Sequence, residues 1–370
     1  MRHLLLGFLC IFVLGVILTL GLWPFHAPRN DVSWLGNRNG LHFGRFSTVF
    51  SSSEFGVTAT QNQTSASLEI WLQPARIWDF STFLAFYIPG HPLPFSLRQS
   101  QTALWLQTGI PDAQHGTETQ DLYVEDAFHR TGPTFVSVTA GPQGTAVYLD
   151  GVMAKRAPQI RLSPAAFTGR LILGDSAEQG DSWRGQLLGV SIYNRELNAT
   201  QVVKHYETWT RTGRPQIAGD EGNTALYLFD EHSGRIIHSN TRSGSDLSIP
   251  DRYAVLGQIL LESPWSEFSR TTDFWGAVVK NIIGFIPFGF CFYPYVSVVR
   301  LYKHPALITV ILGLAVSLTI EVLQAYLPTR DSGTTDLITN TFGTWMGVLL
   351  YTAAKAQWER YRTRAPGRQS

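Results

Sequence analysis

Two neighbouring apolar segments carry the side chains of this sequence that could do chemistry. The first segment ends with Ser317, Glu321 and Gln324, and the second opens with Asp336 and Asn340. Residues spaced by three or four positions share one face of a helix, so each segment presents its polar groups together. Polar groups at membrane depth are costly unless they face protein or water. The pattern therefore predicts a polar pocket between helices, in which Glu321 could hold a ligand or transfer a proton.

Two further polar residues are expected at the same pocket. Asn281 lies in the outer part of a preceding apolar run, and Arg330 lies in the loop between the two segments. A guanidinium suits both carboxylates and phosphates, so Arg330 is expected to pair with Glu321 or with a lipid phosphate. The candidate site residues are Asn281, Glu321, Gln324, Arg330, Asp336 and Asn340.

These residues also have a purely structural interpretation. Glu321 could join helices by pairing with Arg330 or Asn340, and Asp336 could cap the helix that it opens. Interhelical polar contacts contribute only about 0.6 kcal/mol on average, whereas a charge at membrane depth costs roughly 2.5–3.5 kcal/mol. Joining helices would be an inefficient use of so many polar groups, so we favour a functional site.

Four apolar runs are long enough to form the helices that position these residues. They are residues 4–23, 274–299, 305–327 and 337–354. A helix of about 20 residues spans roughly 30 Å, the thickness of a bilayer core. We expect the first run to be a retained anchor, and cleavage as a signal peptide is the alternative.

Two details of these runs concern helix shape and packing. Gly343 and Gly347 have the spacing that permits close approach of two helices. Pro287 interrupts the second run and is expected to bend its helix.

Basic residues predict the orientation of these runs in the membrane. Arg300 and Lys303 follow the second run, and five more basic residues lie between positions 355 and 368. The positive-inside rule assigns both segments to the cytoplasm. The loop 328–335 and residues 24–273 are then exported, and the C-terminus is cytoplasmic.

The composition excludes several classes of protein. The chain has 370 residues, a net charge of +1 and a charged fraction of 15%, against about 25% in ordinary soluble domains. A nucleic-acid partner is not expected, because it would require a basic face. Cys10 and Cys291 both lie in apolar runs, so the polar middle has no disulfide framework and the chain has no Cys/His metal spacing.

The middle of the chain has the pattern of an antiparallel β-sandwich. Alternating segments at 67–72, 102–107, 134–139 and 145–149 are separated by turn residues. Asp150-Gly151 indicates a hairpin, because both residues accept positive φ. A helix over 199–209 should follow, with Asn198 as its N-cap. Residues 210–270 are expected to be a linker with accessory strands; we favour a membrane-proximal spacer, and completion of a sheet is the alternative.

This middle region resembles the laminin-G-like, concanavalin-A-like lectin/glucanase superfamily. The matching segments are 67–74, 147–151, 171–174 and 185–197. Retaining glucanases of this fold carry an E-x-D-x-E set that is missing here, so glycosidase chemistry is not expected. The resemblance implies the fold and leaves the ligand open.

Aromatic and acidic residues of the sandwich have competing interpretations. Trp71, Trp78, Trp105 and Trp183 could stack on sugar rings, but we favour core packing for Trp71 and Trp105. Asp150 and Asp175 could bind calcium, although aspartates beside glycine are more often turn residues. We expect no other cofactor.

The helical region resembles the VanZ-like family of bacterial membrane proteins. The matching segments are 281–289, 317–324, 327–330 and 336–343, in the right order and spacing. The resemblance implies a protein of the bacterial inner membrane with a link to envelope biology, and for the founding type low-level resistance to the glycopeptide teicoplanin. It implies no known reaction.

The fold class predicted is therefore multidomain: a jelly-roll, concanavalin-A-like β-sandwich inserted into an α-helical transmembrane bundle of four spans. The expected segments are a transmembrane helix (1–24), the sandwich (37–209), a linker with accessory strands (210–270), VanZ-like helices (274–355) and a basic cytoplasmic tail (356–370).

Three hypotheses on function follow. The first is a non-enzymatic envelope protein whose sandwich binds a glycan or a protein partner, and whose outward-facing pocket binds an anionic lipid-linked group such as a cell-wall precursor. The second is a membrane enzyme acting on a lipid-linked head group, with Glu321 as acid or base. The third is an adhesion module on a plain anchor. Membrane lipids are partners in each case.

Overall fold

The computed structural model describes residues 2–56, 64–112, 116–177, 181–299 and 303–364. The chain divides into two compact units. The helical unit contains Met1–His26 and Gln258–Ser370, and the sandwich unit contains Ala27–Gly257.

In chain order the described elements are α1 (Arg2–Leu22), β1 (Val32–Trp34), β2 (Leu41–Phe43), β3 (Val49–Ser51), β4 (Ala66–Pro74), β5 (Asp79–Ile88), β6 (His91–Gln101), β7 (Ala103–Asp112), β8 (Gly116–Val124), β9 (Thr134–Gly141), β10 (Gly144–Leu149), β11 (Val152–Ala157), a 3₁₀ turn (Pro164–Phe167), β12 (Arg170–Leu173), β13 (Gly185–Tyr193), α2 (Ala199–Thr212), β14 (Asn223–Tyr227), β15 (Ile236–Ile237), β16 (Leu247–Ser248), α3 (Pro264–Glu267), α4 (Thr272–Val299), α5 (Pro305–Gln324) and α6 (Thr334–Arg364).

The strands form two antiparallel sheets, which confirms the predicted sandwich. One sheet has the order β1-β2-β13-β4-β9-β10-β11, with β14 also paired to β13. The other has the order β15-β16-β3-β12-β5-β6-β7-β8. All four predicted strand segments lie in these sheets, as β4, β7, β9 and β10.

Alternation of apolar residues along the strands builds the core between the sheets. Leu68, Ile70 and Leu72 of β4 are fully buried in the same cluster as Leu104 and Leu106 of β7. Burying one such side chain contributes about 1.5–3 kcal/mol. The two-residue period explains why strand positions could be predicted from local sequence.

The Asp150-Gly151 turn joins β10 to β11 as predicted. Both residues have positive φ, at 50° and 82°. The Phe135 backbone N–H donates to Asp150 Oδ1 at 2.9 Å, and Arg130 donates to Oδ2 at the same distance. The side chain of Asp150 therefore stabilises the turn through these two hydrogen bonds.

Helix α2 begins at the predicted N-cap and continues three residues beyond the predicted end. The Gln201 N–H donates to Asn198 Oδ1 at 3.0 Å, and the Asn198 N–H donates to Gln201 Oε1 at 2.9 Å. Gly213 ends the helix in the left-handed conformation. This reciprocal capping box is the local reason for the helix start.

A buried ionic cluster that local sequence did not reveal holds α2 against the sheet. His205 Nδ1 lies 3.0 Å from Glu69 Oε2, and His205 Nε2 lies 2.8 Å from Glu221 Oε2. Tyr193 also donates to Glu69 Oε2, at 2.8 Å. Burial alone would lower the pKa of His205, but the hydrogen bond that it donates to Glu69 and the charges of both glutamates raise this pKa above its ordinary value.

The segment that we interpreted as a spacer is largely part of the sandwich. β14 pairs with β13, and β16 pairs with β3. Tyr227 and Leu247 are fully buried in the main core cluster. The sandwich unit therefore extends to Gly257, well beyond the predicted end at 209.

The four tryptophans have different environments. Trp183 is fully buried and donates to Gln99 Oε1 at 3.1 Å. Trp71 packs against a smaller buried cluster, and Trp78 is 68% exposed. Trp105, for which we favoured core packing, instead stacks on Tyr123 with ring centres 5.2 Å apart, outside the core clusters. Its strand position, paired with Tyr123 across β7 and β8, explains this stack.

Asp175 is a buried carboxyl group within the sandwich unit. Tyr253 and Ser182 donate to its Oδ2 at 2.6 and 2.7 Å, and the Ser176 N–H donates to Oδ1 at 2.8 Å. Burial raises the pKa of Asp175 to about 7, against the opposing effect of these hydrogen bonds.

The helical unit contains all four predicted apolar helices. Among the described helices, α1, α4 and α5 are long and apolar enough to cross a membrane. The sequence predicted four spans, and α6 is not among these three because it carries several threonines, Asn340 and a charged C-terminal end. Helix α6 also continues to Arg364, so most of the predicted basic tail is helical. Helix α4 continues through Pro287.

The Gly343 and Gly347 positions bring α6 against the backbone of α4, as predicted. A Cβ at Gly343 would lie 2.2 Å from the Ile282 carbonyl oxygen, and one at Gly347 would lie 2.2 Å from that of Ile286. Only glycine permits so close an approach.

Candidate functional site

The six predicted site residues line one cavity of about 390 Å³ in the helical unit. We call it the polar cavity. Its lining consists of Ile17, Leu20, Gly21, Lys280, Asn281, Gly284, Phe285, Ile320, Glu321, Gln324, Arg330, Asp336 and Asn340.

Helix ends deliver these residues to one place. Gly21 lies at the end of α1, Gln324 ends α5, and Asp336 lies in the first turn of α6. Lys280 and Gly284 lie in the first half of α4. The cavity therefore lies where the ends of α1 and α5 meet the N-terminal parts of α4 and α6.

Glu321 is tied to the loop that precedes α6. Its side chain is buried, with the residue only 1% exposed. The Gly333 backbone N–H donates to Glu321 Oε2 at 2.9 Å. The expected pairing with Arg330 or Asn340 is not found among the described residues; a backbone donor takes that place because the loop folds back over the end of α5.

Arg330 binds a backbone carbonyl. Its Nε donates to the Trp23 carbonyl oxygen at 3.0 Å, and its Nη2 donates to the same oxygen. This carbonyl follows the last residue of α1, where helix carbonyls lack an internal donor. The guanidinium thus satisfies the end of α1, which corrects our expectation of a pair with Glu321.

Three amide side chains line the cavity. Asn281 has a buried Nδ2 without a partner in the described structure, whereas Gln324 and Asn340 each have one hydrogen bond and one unused oxygen. Gln324 Nε2 donates to the Gly21 carbonyl oxygen at 2.8 Å, and Asn340 Nδ2 donates to Ser317 Oγ at 2.9 Å. Gln324 Oε1 and Asn340 Oδ1 are buried and have no partner in the described structure. A buried acceptor without a donor costs about 1–3 kcal/mol, so these atoms favour a bound donor.

Asp336 adds a second carboxylate to the cavity. It lies in the first turn of α6, which begins at Thr334, so it is not the N-cap. Asn281 of α4 lies beside its carboxyl group. Within the described part of the chain, neither Asp336 nor Glu321 has a lysine or arginine within 4.0 Å.

Two family models match the chain in succession. Residues 48–203 match the model of the concanavalin A-like lectin/glucanases superfamily, and residues 227–355 match the VanZ/LLP1 model. The chain joins a concanavalin A-like domain to a VanZ/LLP1 region. Both predicted resemblances are confirmed, and together with the apolar helices they make this a membrane protein. The VanZ/LLP1 region contains every cavity residue except the three from α1.

Solved structures similar to the concanavalin A-like domain are distant. A Bacteroides ovatus protein described as carbohydrate-binding shares 16% identity, with a TM-score of 0.41 and coverage of 59% of this chain and 61% of its own. A botulinum neurotoxin type C structure shares 12%, with a TM-score of 0.36 and coverage of 49% and 45%. The sialyllactose-bound CBM40 of a Ruminococcus gnavus sialidase shares 10%, with a TM-score of 0.33 and coverage of 45% and 95%.

The chain thus spans less than two thirds of the first two of these proteins. No curated protein matches the sequence at a significant level.

Sequence reasoning missed a short segment that holds the loop beside the cavity. We call residues 261–267 the strap. The Glu262 N–H donates to the Ser332 carbonyl at 2.9 Å, and the Thr334 N–H donates to the Glu262 carbonyl at 3.0 Å. The Thr335 N–H donates to Glu267 Oε2 at 3.0 Å.

The Ser263-Pro264 pair does indicate the start of α3, because serine caps it and proline suits its first position. Nothing in the local sequence indicates that the strap binds a loop about 70 residues away, so the partner could not be predicted.

Gly333 completes the fit between the strap and the loop. A Cβ at this position would lie 1.8 Å from Glu267 Oε1. The same glycine donates its N–H to Glu321. The strap, the loop and Glu321 are therefore connected through one residue.

Proposed function

We propose that the VanZ/LLP1 region binds the polar head group of a membrane lipid or lipid-linked molecule in the polar cavity. The observation that carries this proposal is the set of buried, unpartnered polar atoms, Gln324 Oε1, Asn340 Oδ1 and Asn281 Nδ2, beside two carboxylates. A region serving only to anchor the chain would gain nothing from acceptors that lack donors.

The cavity also has an apolar side suited to a lipid. Ile17, Leu20, Phe285 and Ile320 line it together with the polar groups. A head group that still carries its glycerol or acyl chains could place its apolar part there and its polar part against Glu321. The proposed function is therefore binding of this lipid, without a chemical reaction.

The protein is proposed to lie in the bacterial inner membrane with residues 24–273 exported. Basic residues after α4 and at the end of α6 support a cytoplasmic location for both. The polar cavity then opens on the outer side. The concanavalin A-like domain would bind a glycan or a protein partner there, and the VanZ/LLP1 match suggests a contribution to glycopeptide tolerance.

Filling the cavity tests the binding function. Gly284 lines the cavity, and a Cβ there meets open space. Gly276 lies on the same helix, also with open space, but outside the lining. Gly284→Leu should remove lipid that copurifies with the full chain, measured by native mass spectrometry, whereas Gly276→Leu should retain it. Equal retention by both variants would contradict the proposal.

The enzyme hypothesis is tested by Glu321→Gln. The amide oxygen can still accept the Gly333 N–H, so the loop should keep its position. If the cavity only binds, lipid extracts incubated with the variant and with the unmodified chain will show the same products. A lipid product that forms only with Glu321 present would favour the enzyme. If the sandwich keeps its full effect on cells when fused to an unrelated anchor, the adhesion hypothesis replaces both.

A further inference from the structure

We propose that the head group in the polar cavity carries a primary ammonium and a phosphate, as in a phosphoethanolamine lipid. This rests on the proposed function, since it names the ligand class of the same cavity. The distribution of donors, acceptors and charges along the lining supports this ligand class.

The cavity has two buried acceptors that lack donors, on Gln324 and Asn340, and one buried donor without a partner, Asn281 Nδ2, which suits a phosphate oxygen. Gln324 and Asn340 are 9% and 5% exposed, and each has one unpartnered oxygen. Glu321 uses Oε2 on the Gly333 N–H. Asp336 adds the second carboxylate, again without a basic partner among the described residues. The complement of such a lining is a cation with several N–H donors.

A primary ammonium has that chemistry. It carries one positive charge and three N–H donors, and charge-assisted hydrogen bonds are stronger than neutral ones. A sugar or glycerol head group would supply hydroxyl donors but would leave two carboxylates without a counter-charge. A trimethylated ammonium would supply charge but no N–H donor.

The basic residues of the lining suit the phosphate. Lys280 is exposed and forms no ion pair with any residue that the structure describes. Its compact ammonium binds phosphate as a point charge. Arg330 is committed to the Trp23 carbonyl but contributes a second positive charge at the cavity. The ligand would therefore place its ammonium among the buried acceptors and its phosphate towards Lys280.

This inference revises the anionic ligand expected from the sequence. An anionic head group without an amine would face the carboxylates of Glu321 and Asp336. Arg330 Nε and Nη2 both donate to the Trp23 carbonyl, so this residue offers less to an anion than expected.

The test compares lipids that differ only in the head group. The full chain in detergent is titrated with dioleoyl phosphatidylethanolamine, phosphatidylcholine and phosphatidylglycerol, and bound lipid is counted by native mass spectrometry. Free O-phosphoethanolamine is a fourth probe, because it separates a lipid ligand from a soluble one. We expect the ethanolamine lipid to bind about tenfold or more tightly than the choline lipid, since only the former donates hydrogen bonds.

Variants connect this preference to the cavity. Asp336→Asn and Glu321→Gln should reduce the preference for ethanolamine over choline. Lys280→Gln should weaken both lipids alike, because both carry the phosphate. Lys355→Gln, an exposed lysine in the C-terminal half of α6 and outside the lining, should change neither. Lys280 is exposed, so its variant remains informative if a carboxylate variant fails to fold.

The possible results distinguish a failure of the ammonium inference from a failure of the proposed function. Equal binding of ethanolamine and choline lipids, or tighter binding of the glycerol lipid, overturns the ammonium inference while Gly284→Leu still abolishes binding. Binding of O-phosphoethanolamine as tight as the lipid keeps the ligand chemistry and overturns the lipid source. Binding of every lipid unchanged by Gly284→Leu overturns the proposed function itself.

Discussion

Two glutamates of the strap contact the same loop in different ways. Glu262 contributes its backbone N–H and carbonyl to Ser332 and Thr334. Glu267 contributes its side chain, which accepts the Thr335 N–H in the first turn of α6. A carboxylate at this position satisfies a helix N–H that lacks an internal acceptor and also interacts favourably with the helix dipole.

Removing the Glu267 carboxylate should therefore loosen the start of α6. We expect Glu267→Ala to lower the local opening free energy of residues 330–337 by about 1 kcal/mol, the usual cost of losing a helix cap. Hydrogen exchange of peptides from this loop, measured in the full chain, reports that change. Glu262→Ala is the matched control, since its backbone contacts remain; equal protection in the two variants would show that the Glu267 bond is not formed.

The buried Asp175 predicts how the free energy of unfolding of the sandwich unit changes with pH. The pKa of Asp175 is about 7 in the folded unit against an ordinary value of 3.8. The folded state therefore holds this proton at pH values where the unfolded chain has lost it, and the free energy of unfolding falls as pH rises from about 4 to about 7. The maximum slope for one proton is about 1.4 kcal/mol per pH unit.

Thermal unfolding at pH 5 and at pH 8 measures this effect. The melting temperature should be lower at pH 8 than at pH 5. Asp175→Asn should reduce the difference between these two melting temperatures because the amide does not ionise. An unchanged difference in the variant would mean that another group causes the pH dependence. Protonated His205 adds stability that is also lost as pH rises, so some difference should persist in Asp175→Asn.

For individual residues, the sequence predicted which side chains would lie at the cavity better than it predicted their hydrogen-bond partners. Glu321 and Gln324 were predicted to share a site because helix periodicity places them on one face. The partner of Arg330 lies 307 positions away, and Glu69 lies 136 positions from His205. Such contacts depend on how elements pack, and no local spacing encodes them.

Among the elements, the contact of α4 with α6 is the most sensitive to side-chain size. Gly347 leaves no room for a Cβ because the Ile286 carbonyl would lie 2.2 Å away. Gly347→Val should separate the helices, destabilise the helical unit by about 1–3 kcal/mol and lower its melting temperature in detergent. Gly276→Val adds the same side chain to α4 in open space and is the control. Equal melting temperatures would contradict the close contact.

The short strands β14 to β16 determine how many residues the sandwich needs in order to fold. Ala225, Tyr227, Phe229, Ile237 and Leu247 are buried in its core cluster. Each large side chain contributes about 1.5–3 kcal/mol, and domains have only about 5–15 kcal/mol of stability. A fragment of residues 27–209 should therefore fail to fold, and a fragment of residues 27–257 should unfold cooperatively in urea. A cooperative transition of the shorter fragment would contradict this boundary.

These strands also show what limits the prediction of strands from local sequence. Long strands such as β4 show a clear two-residue period, so local sequence was sufficient. β15 and β16 have two residues each, too few to show any period. They are strands because each pairs with a neighbour in the sheet, and that neighbour is distant in sequence.

For the whole molecule, the two family matches and the two compact units do not divide the chain at the same residue. The VanZ/LLP1 match begins at residue 227, inside the sandwich unit. Strands β15 and β16 therefore belong to the family match and also complete the sandwich. A domain boundary at residue 227 would cut through the sandwich core, which includes Ile237 and Leu247.

The orientation of the cavity decides which ligands can reach it, and single cysteines test that orientation. The two native cysteines, Cys10 and Cys291, are buried, and serine replaces both in the variants tested. Tyr326, in the loop between α5 and α6, is 75% exposed. Lys303, before α5, is also exposed. We expect a maleimide that does not cross the inner membrane to label Tyr326→Cys in cells whose outer membrane is permeable and whose inner membrane is intact.

Lys303→Cys should react only after the inner membrane is opened, because its basic neighbours assign it to the cytoplasm. The two sites lie at opposite ends of α5, so one experiment reads both sides of the membrane. If Lys303→Cys reacts in intact cells and Tyr326→Cys does not, the cavity faces the cytoplasm. Its ligand would then be a cytoplasmic head group. The proposed export of residues 24–273 would be wrong as well, since the end of α1 that precedes residue 24 lines the same cavity.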